Sequence, residues 1–372
     1  MRVFTVGLMV AVVLCLGAPV GVAQERSRVV SPVMHEDGSW TFRIDAPDAE
    51  GVYLVGQILE VVGGEPVEMD EDSSGVWSVT VKPTTPGLYG YLFDIAGAQV
   101  SDPLNNKLKI GHRNTMSAIE VPGDAPMFYG NQDVPHGTVS IHWYDSETLG
   151  VKRRLHVYTP PGYEKGGKYP VLYLLHGGGD QDDAWVNKGN MNFILDNLIA
   201  AGKAKEMVVV MPYGHAAFGA IAKPGGAASD SKAYEADMTE TIIPYIEDRY
   251  RVRKNRANRA IVGLSMGGGH ALLIGLNHLD TFSEVGAFSA GASDDPEGTY
   301  PQVFADPEWA NDELDLFWIG CGVDDRLLPR SQKMHEMLEE AGIEHTYVET
   351  HGAHTWEVWR RYLNEVAPKL FR

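Results

Sequence analysis

In the segment running from Arg259 to His270, a short apolar run enters the pentapeptide Gly263-Leu264-Ser265-Met266-Gly267, and a helix-like stretch leaves it. A serine hydroxyl becomes a useful nucleophile when a sharp strand-to-helix turn holds it clear of the backbone and a neighbouring base takes its proton. Such a turn strains the serine's own backbone, and glycines two before and two after keep side chains from colliding where strand and helix nearly touch. Ser265 is therefore the candidate nucleophile. The Met266 N–H, at the start of the following helix, is placed to donate to an oxyanion.

A nucleophile of this kind is followed in the chain by an acid and then by a histidine. After the apolar run at 314–320 comes Cys321-Gly322-Val323-Asp324-Asp325-Arg326, which offers two carboxylates at a strand's carboxyl end. Later, the strand expected at 346–349 is followed by Thr350-His351-Gly352-Ala353-His354 and a terminal amphipathic helix at 355–370. His354, immediately before that helix, is the candidate base; His351, directly after the strand, reads as a solvated loop residue. The oxyanion needs a second N–H donor. The apolar run Val171–Leu175 opens into His176-Gly177-Gly178-Gly179-Asp180, a loop whose bare backbone can approach a carbonyl closely. Gly178 is the first choice for that donor and Gly179 the fallback. A phosphate-binding reading is weak, since neither complete glycine-rich phosphate motif is present.

These groups need a scaffold that gathers strand ends on one rim. From residue 153 onward, expected strands at 153–158, 171–175, 208–211, 260–263, 285–289, 314–320 and 346–349 alternate with expected helices at 190–201, 236–250, 268–277, 330–341 and 355–370. That alternation predicts a doubly wound, mostly parallel α/β sheet with its ligands at the carboxyl ends of the strands. From 33 to 121 the pattern changes to short alternating runs separated by Gly, Pro and Asp, which predicts an all-β sandwich. Trp77, in strand alternation, reads there as core. A Pro-, Gly- and Asp-rich linker at 122–137 joins the two parts, so the expected organisation is a sandwich at 24–121 and a catalytic domain at 138–372. The cluster Asp180-Gln181-Asp182-Asp183 reads as a solvated loop or helix start rather than a cation site.

Residues 1–23 read as a signal peptide with cleavage after Ala23: a basic start, an apolar stretch and small residues at Gly21-Val22-Ala23. The apolar stretch is too short for a convincing membrane span, so no stable membrane anchor is expected. Cleavage leaves Cys321 as the one cysteine, which cannot form an intrachain disulfide. With 372 residues and 44% hydrophobic content the chain can bury two cores, and its net charge of −19 disfavours nucleic acid and anionic membranes as partners. No sequence feature fixes the oligomeric state.

From Gly150 to the C-terminus the chain resembles carbohydrate esterase family 1, the feruloyl and acetyl-xylan esterases within the esterase-D-like branch. The resemblance is carried by Val151-Lys152-Arg153-Arg154-Leu155-His156-Val157-Tyr158-Thr159-Pro160-Pro161-Gly162-Tyr163, the His176 loop with Trp185, Gly263 to Gly269, Gly322-Val323-Asp324-Asp325 and Gly352-Ala353-His354-Thr355-Trp356. It implies an α/β-hydrolase fold, with Asp325 as the acid by the pattern G-x-x-D and His354 as the base by G-x-H-[ST]-W. His351 departs from the family pattern, in which a non-basic residue is expected there. His176, Gly179, Trp185 and Trp356 are candidates for lining the substrate site, and neither metal nor organic cofactor is implied. The N-terminal part resembles early-set immunoglobulin-like domains related to carbohydrate-binding module family 48, through Phe42 to Pro47, Gly75 to Val79 and Ser101-Asp102-Pro103.

The expected function is removal of feruloyl or other hydroxycinnamoyl groups from xylan or xylo-oligosaccharides by a secreted or periplasmic serine esterase. The open alternatives are an acetyl-xylan esterase, an acyltransferase or small-thioester hydrolase of the same fold, and a non-catalytic glycan-binding protein. Loops at 214–232 and 290–309 are expected to shape the acyl pocket. The sandwich is expected to help meet the polymer without joining the chemistry.

Overall fold

A computed structural model describes residues 29–123, 125–216, 227–291, 293 and 295–372, without the side chains of 227–230. The expected signal peptide and residues 217–226 of one expected pocket loop lie outside the described residues.

The C-terminal part is built on an eight-stranded sheet. Its strands are β1 (Thr138–Ser146), β2 (Val151–Thr159), β3 (Val171–Leu175), β4 (Val208–Pro212), β5 (Arg259–Leu264), β6 (Glu284–Phe288), β7 (Leu316–Gly322) and β8 (Thr346–Thr350). They lie in the order β1-β2-β4-β3-β5-β6-β7-β8, antiparallel at β1/β2 and β2/β4 and parallel from there on. This is the α/β-hydrolase fold. Strands β3 to β6 are buried at every residue, because helices cover both faces and leave no polar side to alternate with.

The main helices are α1 (Met191–Ala200), α2 (Ala227–Ala236), α3 (Met266–Asn277), α4 (Leu328–Ala341) and α5 (Trp356–Val366). In α5, Trp356, Trp359, Leu363 and Val366 fall on one stripe at helical spacing and pack in the core layer beside β7, Phe288 and α1. Between Ala236 and Tyr250 a single helix was expected. The chain instead continues α2 through a π-helical turn, Asp237–Ile242, into Ile243–Arg249. The π turn surrounds a polar knot, since buried Asp237 accepts hydrogen bonds from Tyr144 Oη at 2.8 Å and Ser146 Oγ at 2.5 Å on β1. Strand β1 itself has no counterpart among the expected elements. Its outer face is exposed at Ile141 and Trp143, so it lacks the apolar run that marks a buried strand.

The N-terminal part is a two-sheet antiparallel sandwich. One sheet holds Trp40–Asp45 and Val76–Val81; the other is centred on Val52–Gly56, Gly87–Ile95 and Thr115–Val121. Phe42, Leu54, Tyr91 and Phe93 fill its core. Trp77 is 7% exposed in that core and donates its indole N–H to Ala46 O at 3.0 Å.

Among its described residues the segment after Val121 contains no regular element before Thr138, yet it is bound to the hydrolase. Asn197 Nδ2 donates to Phe128 O and Gly130 O, at 2.9 and 3.0 Å, and His136 pairs with Asp196 at 2.9 Å. The sandwich is docked as firmly. Buried Arg360 of α5 reaches Glu120 at 2.6 Å and lies over the Tyr129 ring, and Glu357 accepts the Leu88 N–H at 2.6 Å. Burial works against the charge on Glu120, but Arg360, with help from Lys107, holds its carboxyl below the usual range.

Candidate active site

Ser265 stands between β5 and α3 with φ 52° and ψ −118°, a strained backbone for any residue with a side chain. The strain is held by close packing on both sides. A Cβ on Gly263 would overlap Gly267 O, and one on Gly267 would overlap His176 O, so this turn admits only glycine at those two positions. The Ser265 N–H is tied to Phe288 O at 2.8 Å on the neighbouring strand. The hydroxyl is thereby presented at the carboxyl rim of the sheet. Met266 opens α3, so its N–H has no intrahelical acceptor.

The acid and base come from the loops after β7 and β8. Those loops are bonded to each other: Val323 N–H donates to Thr350 O and Asp324 N–H to Gly352 O, at 2.8 and 3.1 Å. Gly322 lacks a side chain because the His loop's backbone passes against it. The result is a continuous hydrogen-bonded relay. His354 Nδ1 meets Asp325 Oδ2 at 2.8 Å and Oδ1 at 3.0 Å, and His354 Nε2 meets Ser265 Oγ at 2.9 Å.

Asp325 is 4% exposed. Burial alone would favour its neutral acid, but hydrogen bonds from His354, the Leu327 N–H and Ser289 hold the carboxyl below its usual range. It is therefore an anion able to orient an imidazole and stabilise an imidazolium. His351 and Asp324 are exposed and line a neighbouring cavity instead, so neither joins the relay. Two positioning residues escaped the sequence analysis. The Trp359 ring stands edge-on to His354 with centroids 4.9 Å apart, and its indole N–H donates to Ser289 Oγ at 2.8 Å. The signal for Trp359 was the apolar stripe of the last helix; Ser289 was marked only as the end of an apolar strand.

Gly178 and Gly179 line the cleft with Ser265, and Gly178 lies over Met266. His176 does not reach it. It is 2% exposed, sharing a hydrogen bond with Gly177 O through Nδ1 and accepting the Gly214 N–H at Nε2, both at 2.8 Å. Burial lowers its pKa, in keeping with a neutral ring that pins the glycine loop from behind. Trp185 is likewise no cleft residue. It is 1% exposed, donates to Leu175 O at 3.0 Å and packs edge-on against Trp356, which does reach the cleft. Both corrections have one cause: each side chain turns a polar atom inward to backbone, Trp185 to the strand residue Leu175 and His176 to the loops just past two strand ends.

The acidic cluster does lead into a helix, Ala184–Asn187 with Asp183 at its N-cap, but Asp180 and Asp182 are buried rather than solvated. Asp182, 1% exposed, accepts bonds from Arg154 at 2.7 Å and His156 at 2.8 Å, while Asp180 pairs with Lys188 at 2.7 Å. Among the described residues no group of His, Cys, Asp and Glu could hold a metal ion. No helix among them is long and apolar enough to cross a membrane.

The cleft has a volume of about 450 Å³ and two walls. One carries Ser265, His354 and the glycine loop; the other comes from the sandwich and includes Gln57, Glu60, Leu88, Lys109 and Met116. Among the described residues, neither loop expected to shape the pocket lines it. The sandwich strand at Leu108–Ile110 is brought there by a clamp: His112 N–H donates to Gly179 O and Gln181 Nε2 to Gly111 O, each at 2.9 Å.

Residues 146–370 match the family described as "Putative esterase", and residues 29–110 match carbohydrate-binding module 48, the isoamylase N-terminal domain. The endo-1,4-beta-xylanase/feruloyl esterase of Xylanibacter ruminicola is 34% identical over 354 residues, which are 92% of this chain and 46% of that protein. This chain thus spans less than half the length of that relative. A solved ferulic acid esterase is 31% identical with a TM-score of 0.55, covering 64% of this chain and 98% of that one. The CE1 ferulic acid esterase of Anaeromyces mucronatus, solved with ferulic acid, is 27% identical with a TM-score of 0.58, covering 66% and 94%. With the elbow, the relay and the family match in one domain, the chain belongs to this esterase family and carries a module-48 sandwich in front of it.

Proposed function

We propose that this protein is a secreted serine esterase that removes feruloyl or related hydroxycinnamoyl groups from plant cell-wall xylan. The observation that carries the reading is the unbroken relay from Asp325 through His354 to Ser265 at the mouth of a cleft able to take an aromatic acyl group. Ser265 Oγ attacks the ester carbonyl while His354 Nε2 takes its proton. The Met266 and Gly178 N–H groups receive the oxyanion, and Asp325 steadies the imidazolium. His354 then gives the proton to the sugar oxygen as its bond to the acyl carbon breaks, releasing the alcohol, and water, activated by the same imidazole, frees the acid. The activities for which the Xylanibacter relative and the ferulic acid esterases are named favour a hydroxycinnamoyl over an acetyl substrate. An acetyl group would also leave most of the cleft unfilled. The leader-like start of the sequence is the support for secretion.

The test is a comparison of kcat/KM on methyl ferulate, a feruloylated xylo-oligosaccharide and acetylated xylan. The feruloyl esters are expected to be hydrolysed at least about a hundredfold faster per unit concentration, the discrimination that roughly 3 kcal/mol of added acyl contact supplies. A preference for acetylated xylan would overturn the assignment of the acyl group.

A further inference from the structure

Lys109 stands out among the cations of the cleft. Lys188 is neutralised by Asp180, and Arg326 is exposed to water at the rim. Lys109 has no carboxylate within salt-bridge distance among the described residues; its ammonium donates to Gln57 Oε1 at 2.6 Å and, at 3.4 Å, to Leu88 O. An ammonium has three N–H donors, so one is left for whatever occupies the cleft. Gln57 is itself fixed, because its Oε1 also accepts the Gly90 N–H at 3.4 Å, and a side chain at position 90 would press on Gln57 and Met116. Burial pushes the ammonium down to about 8, against the pull of Glu357.

The direction in which an ester must lie follows from the chemistry. His354 protonates the leaving alcohol, so the sugar leaves along the His354 loop, where a second cavity begins at His351, Ala353 and Thr355. The acyl group then extends the other way, past the glycine loop. The strand of Lys109 borders that path, clamped to Gly179 through His112 and to Gln181 through Gly111. Leu88 and Met116 supply apolar surface around it.

Resting on the feruloyl reading above, we propose that Lys109, carried by the sandwich, is a specificity-determining residue whose ammonium receives the phenolic oxygen of the acyl ring. The sandwich thereby reads the acid as well as facing the polymer. An ammonium N–H donating to the phenolic oxygen makes a charge-assisted hydrogen bond, stronger than one between neutral groups.

The experiment compares wild type, Lys109→Met and Lys109→Arg on three esters, methyl ferulate, methyl p-coumarate and methyl cinnamate, the last lacking the phenol, with a feruloylated xylo-oligosaccharide and 4-nitrophenyl acetate assayed beside them. Lys109→Met should lower kcat/KM by about tenfold or more on the two phenolic esters, as for a hydrogen bond to a charged group. Its rate on methyl cinnamate should stay within about threefold, which also reports that the fold is intact, and Lys109→Arg should recover part of the loss. An equal change on all three esters, or none, overturns the role of Lys109 while leaving the feruloyl reading standing. A loss confined to feruloylated xylo-oligosaccharide puts Lys109 on the sugar side and overturns it too. A wild type that cleaves acetyl esters and none of the cinnamoyl esters removes both.

Discussion

The cleft's two walls are built by different means. On the hydrolase side, Ser265, Asp325 and His354 each sit a residue or a few past a strand's carboxyl end, fixed by short-range devices: a strained turn, two bonded loops and a glycine under each close approach. On the sandwich side, Gln57, Leu88, Lys109 and Met116 come from separate strands and turns, and reach the cleft only because one rigid body is docked on another. Chemistry is thus written into local segments, and substrate choice into an interface between domains.

The largest expected effects test the first wall. Ser265→Ala should cut kcat by on the order of 10⁶, following the worked serine-protease case for loss of a nucleophile. His354→Ala should lose several orders of magnitude and Asp325→Asn roughly 10⁴, whereas His351→Ala and Asp324→Asn should each lose less than about tenfold. Steady-state rates on methyl ferulate, with melting curves to verify folding, decide this. A reversal within either pair would move the relay to the neighbouring cavity.

This division explains what could be read from the sequence. The elbow was legible because glycines at fixed offsets are forced by backbone contact, and the buried strands because their apolar runs have no polar face. His354 could be separated from His351 by its place immediately before the last helix, whereas Asp325 was separable from Asp324 through the family pattern G-x-x-D. His176 and Trp185 were misplaced at the substrate because a sequence does not say whether a polar side chain looks out or back toward its own sheet. Lys109 lies in Leu108-Lys109-Ile110, an unremarkable alternating strand that nothing local marks. Its role exists only after docking. Strand β1 was missed for a related reason, since an edge strand with exposed Ile141 and Trp143 lacks a burial signature.

A smaller effect tests the second wall. Glu120→Ala would leave the buried guanidinium of Arg360 without its carboxylate, at a cost of about 3–5 kcal/mol for breaking such a pair. The expected result is a lower melting temperature together with a raised KM for methyl ferulate. Hydrolysis of 4-nitrophenyl acetate, whose acyl group does not reach the sandwich, should be nearly unchanged. Equal losses on both esters would mean that the two walls are not separable.

The smallest effect lies at the other end of the sheet, away from the cleft. Glu284, 2% exposed, accepts the Phe371 N–H at 2.6 Å, and its pKa is raised to about 7 by burial, with Asp315 adding to the shift. A carboxyl raised in the folded state keeps a proton that the unfolded chain loses near pH 4.5. Its contribution to stability therefore falls as pH rises from about 4.5 to 7 and is level above that, a change on the order of 3 kcal/mol. Glu284→Gln should match wild type in denaturant melts near pH 4.5 and exceed it at pH 8, with kcat on methyl ferulate unaltered. A difference independent of pH would contradict the buried-acid reading.

The central claim, that Ser265 at the elbow is the nucleophile of the feruloyl-cleaving cleft, is tested most directly by covalent labelling. Wild-type protein is treated with a serine-directed fluorophosphonate, and peptide mapping is run in parallel with the remaining rate on methyl ferulate. Modification of Ser265 in step with loss of activity is the predicted result. Full inactivation with Ser265 unmodified, or full Ser265 modification with methyl ferulate hydrolysis intact, would contradict it.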